Sequence, residues 1–212
     1  MADLILALDL PSAGEALRLL DRVPDARWVK VGPILFTREG PALVRALRAR
    51  GLAVFLDLKW HDIPNTVAGA VTAAVEEGVA LATIHALGGQ AMMEAAARAA
   101  DGRVALVGVT VLTSHDAVGF GDVLGRPVRD LEAEVVRLAR SAGDAGLAGV
   151  VCSPHEIRAV RGVLPGRAWV VVPGIRRAED AAGDQVRTAG PAAAAAAGAT
   201  HLVVGRPVLL AA

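Results

Sequence analysis

"GLAVFLDLKWHDIPNTV", residues 51–67, opens on a glycine turn, runs through apolar residues and gathers charge at Asp57, Lys59 and Asp62 before a second turn. Residues 53–58 are apolar at nearly every position. That is the pattern of a strand covered on both faces, as in a parallel sheet. Residues 65–78 then read as helix by period and propensity. The unit is therefore strand, charged loop, helix, and it recurs about every 25 residues along the chain. Strands are expected at 4–9, 27–32, 53–58, 81–85, 103–109, 148–151, 168–172 and 201–205. Helices are expected at 13–22, 38–50, 65–78, 89–100, 128–142, 154–162 and 190–198. Eight such periods predict an α/β fold, a (β/α)8 or TIM barrel, with a doubly wound sheet as the alternative. No linker or shift in composition divides residues 1–212, so a single domain is expected. The sequence stops at Ala212, too soon after 201–205 for a full helix. The eighth helix is expected to be shortened or missing, with a second subunit covering that side as the other possibility.

Composition narrows the class. Of 212 residues, 54% are hydrophobic and 21% charged, enough for a sizeable core. Twenty-two basic and twenty-two acidic residues cancel, so no global field favours nucleic acid or an anionic membrane. The N-terminal "MADLILALDL" has too short an apolar run for a signal peptide, and no stretch approaches about 20 uninterrupted apolar residues. The lone Cys152 fits a reducing compartment. A cytoplasmic protein without membrane or nucleic-acid partners is expected. Lysine is scarce: Lys30 and Lys59 are the only two, so twenty of the basic residues are arginine. Lysine can give up a proton where arginine stays protonated, so the two that remain are candidates for chemistry.

In a (β/α)8 barrel the active site lies at the C-terminal ends of the strands. The polar residues there are Asp9, Lys30, Asp57, Lys59, His85, Thr113 and Ser114, followed by "PGIRR" (173–177) and Gly205-Arg206. Asp57 and Lys59, two apart on a strand, share a face, and Asp62 follows on the loop. Two carboxylates beside an ammonium would keep it charged and held in place. The alternative is a surface ion pair. The loops after the seventh and eighth strands often bind phosphate. Here "VVPGIR" (171–176), "GDQ" (183–185) and "VVGRP" (203–207) offer glycines for close approach, with Arg176, Gln185 and Arg206. Plain turns with solvated arginines are the competing reading. The five histidines show no metal-ligand spacing, Cys152 has no evident base, and "GFGDVLG" (119–125) misses the dinucleotide spacing.

"LDLKWHDIPNTV" (56–67) resembles the signature of the orotidine 5'-monophosphate decarboxylase family. The resemblance continues in order through "LALDL" (6–10), "VKVGPILFTREGP" (29–41), "IHALGG" (84–89), "VTVLTS" (109–114), "GVVCSPHE" (149–156) and "LVVGRP" (202–207). It implies the barrel, and decarboxylation of orotidine 5'-monophosphate to UMP without metal or organic cofactor. It implies that Lys59 donates the proton to pyrimidine C6, within a charge network of Lys30, Asp57, Lys59 and Asp62. Asp9 and Lys30 would contact the ribose, and Thr113, with Ser114 a lesser candidate, would lie near the pyrimidine. Gln185, Arg206 and the Gly205 backbone would hold the 5'-phosphate, with Arg176 bordering the closing loop. The resemblance further implies a homodimer, in which Asp62, Ile63 and Thr66 belong to the substrate site and Asp62 and Thr66 complete that of the neighbour. Related sugar-phosphate decarboxylases and synthases share Asp-x-Lys-x-x-Asp but use Mg²⁺, and Ile63-Pro64-Asn65-Thr66 sets this chain apart from them. A barrel that binds nucleotide without turning it over is the non-enzymatic alternative.

Overall fold

The computed structural model describes residues 2–176 and 187–209. Eight parallel strands close on themselves in sequence order, and the last pairs with the first. They are β1 (Asp3–Ala7), β2 (Trp28–Val31), β3 (Ala53–Trp60), β4 (Leu81–His85), β5 (Ala105–Val109), β6 (Gly149–Val151), β7 (Trp169–Val172) and β8 (His201–Val204). The closed ring excludes the doubly wound sheet. Nine helices are described: α1 (Ala13–Arg22), α2 (Pro33–Ala49), α3 (Pro64–Glu76), α4 (Gly89–Ala100), α5 (Ala117–Leu124), α6 (Leu131–Asp144), α7 (Ile157–Arg161), α8 (Pro191–Ala197) and α9 (Arg206–Leu209). The helix after β8 is thus a single turn among the described residues.

Alternation along each strand divides the core in two. Ile5, Ala7, Phe55, Leu81, Val107, Val171 and Val203 pack together inside the barrel. Their neighbours Leu6, Leu8, Val54, Leu56, Ala82 and Ile84 pack outward against the helices. Both faces are therefore dry, which is why the strands lack a polar alternation. The register aligns Ala7 with Lys30 and Lys30 with Phe55, so Lys30 is carried on the inward face.

Two helices differ from the sequence expectation. α2 begins at Pro33, five residues early, because Gly32 and Pro33 form a helix start that periodicity does not register. Its apolar period is broken midway by Gly40 (φ 60°, ψ −157°) and Pro41, where two helical pieces meet at a kink. α5 was not expected at all. Its "AVGFGDVL" carries two glycines, poor helix formers, but Asp116 caps its start by accepting from Gly119 N–H, and Gly125 ends it in the left-handed region.

Candidate active site

At the C-terminal mouth of the barrel four charged side chains from three successive strands alternate in sign. Lys30 Nζ lies 2.8 Å from Asp9 Oδ1 and 3.7 Å from Asp57 Oδ2, and Lys59 Nζ lies 2.8 Å from Asp57 Oδ1. Lys30 and Asp57 are buried, whereas Asp9 and Lys59 open to solvent. Burial alone would raise the Asp57 carboxyl. The charges of Lys59 and Lys30, with hydrogen bonds from Lys59 and Thr83, outweigh it and hold Asp57 below its ordinary range. Asp57 is therefore an anion between two cations at neutral pH. A surface ion pair does not describe this cluster.

These groups line a cavity of about 460 Å³. Its apolar floor is made by the inward residues Ala7, Phe55, Val109, Val151, Val171 and Val203. The rest of the mouth is lined by Thr113, on the loop after β5, and by Arg176, Gly205 and Arg206, after β7 and β8, with Gly205 next to Asp9. The cavity thus has an acid–base side, a greasy floor and a cationic rim. Ser114 is exposed and does not line it. Gln185 and the rest of "GDQ" (183–185) lie outside the described residues, as does Arg177 of "PGIRR".

The structure does not bring Asp62 to the ammonium of its own chain, although the Asp-x-Lys-x-x-Asp spacing reads as one triad. After β3 the backbone turns outward. Asp62 is exposed, accepts the N–H of Ile63 at 2.6 Å, and lies with His61, Ile63 and Pro64 outside the cavity. Thr66, on the first turn of α3, is exposed as well. The face shared by Asp57 and Lys59 also needs qualification. Lys59 has φ 51°, a left-handed conformation at a non-glycine residue, and the β3–β4 pairing shifts between Leu56 and Trp60. Its side chain reaches Asp57 through a bulge and not through plain strand alternation.

Among the other candidates, His85 is half-buried, stacks on His61 at 5.6 Å and is held down to about 4, by burial first and then by His61 and Lys59. Cys152 lines the cavity floor, where burial and the charge of Glu156 push its thiol up. A thiol so disposed is a poor nucleophile.

Three further features were missed in the sequence. Thr83, wholly buried on β4, bonds both Asp57 and the backbone of Lys59. A hydroxyl in an apolar strand was the available signal. Gly32 leaves room for the Lys30–Asp9 pair: a Cβ there would fall 3.1 Å from Lys30 Nζ and 3.2 Å from Asp9 Oδ1. Finally, Arg187 is buried against Glu156 and also donates to the Leu112 carbonyl at 3.1 Å. Glu156 in turn receives the Ser153 hydroxyl and backbone N–H. This network ties the segment leading into α8 to the loops after β5 and β6. No sequence signal marked it, because its members are distant in the chain.

Known proteins resemble this chain along nearly its whole length. A model of the "Orotidine 5'-phosphate decarboxylase / HUMPS family" matches residues 2–212. A protein named orotidine 5'-phosphate decarboxylase from Halorhodospira halophila is 52% identical over 210 residues, which cover 97% of this chain and 88% of that protein. One of the same name from Alkalilimnicola ehrlichii is 54% identical over 211 residues, with the same coverage of 97% and 88%. The crystal structure of orotidine 5'-phosphate decarboxylase from Lactobacillus acidophilus superposes with a TM-score of 0.83 at 31% identity, over 99% of this chain and 92% of that one.

Proposed function

The chain belongs to the orotidine 5'-phosphate decarboxylase / HUMPS family and is a decarboxylase of orotidine 5'-monophosphate, yielding UMP for pyrimidine biosynthesis; from that premise we propose how its residues divide the work. Lys59 is the proton donor. When the bond from C6 to the carboxylate breaks, CO2 leaves and the electron pair stays on C6, with no conjugated sink to receive it. The Lys59 ammonium stabilises that charge and then transfers a proton from Nζ to C6. Asp57 and Asp62 are its acidic partners, Asp57 from the same chain and Asp62 from a neighbour.

The observation that carries this reading is the placement of the Lys59 ammonium, 2.8 Å from an ionised, buried Asp57 and facing a cavity with an apolar floor. Fixed charges in a site that excludes water stabilise developing charge far better than solvent does. Lys30 and Asp9 bind the ribose hydroxyls, and Thr113 sits by the pyrimidine. Arg206, the Gly205 backbone and Gln185 take the 5'-phosphate, with Arg176 beside them. Binding energy from that remote phosphate can be expressed at C6 if it closes the site. Neither metal nor organic cofactor takes part. This is supported by the engagement of Asp9 and Asp57 with lysines. The active unit is a homodimer, supported by the exposure of Asp62, Ile63 and Thr66 outside their own cavity. The compartment is the cytoplasm. In support, the single cysteine, Cys152, is a buried free thiol, which fits a reducing compartment.

The test is the loss of substrate absorbance on incubation with orotidine 5'-monophosphate in the presence of chelator. Lys59→Ala should nearly abolish turnover, by at least the 10²–10³-fold that removing one stabilising group costs elsewhere. UMP binding should be largely kept. Lys59→Arg should fail too, since a guanidinium holds its proton. Near-normal turnover by Lys59→Ala would sink the assignment.

A further inference from the structure

We propose that Thr83 is a positioning residue for the reacting pair, its one hydroxyl fixing both the left-handed backbone of Lys59 and the carboxylate of Asp57. The inference rests on the reading of Asp57 and Lys59 as that pair. Between Leu56↔Ala82 and Trp60↔Ile84, β3 spends Asp57, Leu58 and Lys59 where β4 spends Thr83 alone. The regular ladder is interrupted there, and the Lys59 N–H turns to the side chain of Thr83, donating to Oγ1 at 2.9 Å. A backbone N–H can only donate, so this bond occupies a lone pair of the hydroxyl. The hydroxyl hydrogen is then directed to Asp57 Oδ1 at 3.0 Å, the oxygen that also receives Lys59 Nζ at 2.8 Å.

A closed circuit results. It leaves Lys59 at its backbone, passes through Thr83 and Asp57, and returns to Lys59 at its ammonium. Thr83 has 0% exposure, so water does not reach the circuit from its side. Threonine suits the position because its branched Cβ restricts χ1 and keeps Oγ1 aimed. The function follows from the strain. Lys59 at φ 51° persists only where its surroundings over-determine it, and the Thr83 bond is the polar contact that holds this backbone. Without it the bulge can relax and carry Nζ away from C6, and misplacement by about 1 Å can cost on the order of 10²-fold in rate.

The experiment compares Thr83→Val, which keeps the shape and removes the hydroxyl, with Thr83→Ser, which keeps the hydroxyl. Both are measured for kcat, KM and UMP affinity beside Lys59→Ala. Thr83→Val should lose about 10- to 100-fold in kcat with UMP affinity within about threefold of the parent, and Thr83→Ser should regain most of the loss. Should Thr83→Val not fold, Thr83→Ala removes the same hydroxyl with less bulk and is judged by the same criteria. Parental kcat in Thr83→Val, beside an inactive Lys59→Ala, overturns the role of Thr83 alone. Equal loss of kcat and UMP affinity in both Thr83 variants also overturns it, in favour of general disruption. Turnover by Lys59→Ala overturns the underlying reading instead.

Discussion

Lys59 and His201 mark opposite ends of the barrel, and at each the surroundings set what a single side chain can do. Lys59 holds a backbone conformation that costs about 1–3 kcal/mol for a residue with a Cβ, which is tolerable because Asp57 and Thr83 fix it. His201, at the N-terminal end, is buried against Trp169 at 4.4 Å and Trp28 at 5.4 Å between ring centroids. Burial lowers its pKa, and Asp3, 3.9 Å away, offsets this only in part. The unfolded chain therefore takes up a proton at a higher pH than the folded one. Stability should be fully present above the ordinary histidine pKa and fall as pH drops through the lowered one, and His85 should act in the same direction. Urea midpoints measured between about pH 8 and 5 should decline, and His201→Phe should flatten the decline. A slope unchanged by that substitution would remove His201 as a cause. At this scale the sequence showed Lys30, Asp57 and Lys59, because each is a charge ending an apolar run. It hid Thr83, since a bulge leaves no trace in periodicity, and at Asp62 the spacing by itself said nothing about the outward turn of the chain.

Elements carry the site only if the loops between them are held, and one restraint on these loops is ionic. Glu156, in the turn before α7, and Arg187, ahead of α8, form an ion pair whose side chains are 6% and 9% exposed. Arg187 also bonds the carbonyl of Leu112, next to Thr113. Removing one member of such a pair strands a buried charge, which costs about 3–5 kcal/mol. Arg187→Met should lower stability by about that amount in denaturant unfolding, and adding Glu156→Gln should restore part of it. A loss within about 0.5 kcal/mol, the ordinary effect of a surface change, would show that the pair restrains nothing. All eight strands were legible as elements, because uniform apolarity bounded by glycine and charge has few other causes. α5 was not, because its order comes from the Asp116 cap and the Gly125 stop more than from the propensity of its residues.

On the scale of the molecule, the mouth of the barrel gathers Asp9, Lys30, Asp57 and Lys59 and leaves Asp62 and Thr66 facing away. Ile63 between them is 68% exposed, an apolar side chain beside two polar ones on a surface that a second copy would cover. Closure of the ring was legible from eight periods. The outward placement of Asp62 was implied by the family resemblance alone, because spacing within one chain does not say where a loop points relative to another copy. If each cavity borrows its second carboxylate from a neighbour, two inactive variants should repair one another. A chain with Lys59→Ala still lends an intact Asp62, and a chain with Asp62→Ala still has an intact Lys59. In a mixed dimer one site then has both defects and the other has neither. Equal mixing with free exchange makes half the dimers mixed, so about a quarter of all sites should be whole. Unfolding and refolding the two variants together should therefore recover about a quarter of parental turnover, while either refolded alone stays inactive. Sedimentation of the parent at micromolar concentration should show a dimer. A mixture as inactive as its components, or a monomer that turns over substrate, would place every catalytic group within one chain and return Asp62 to the surface.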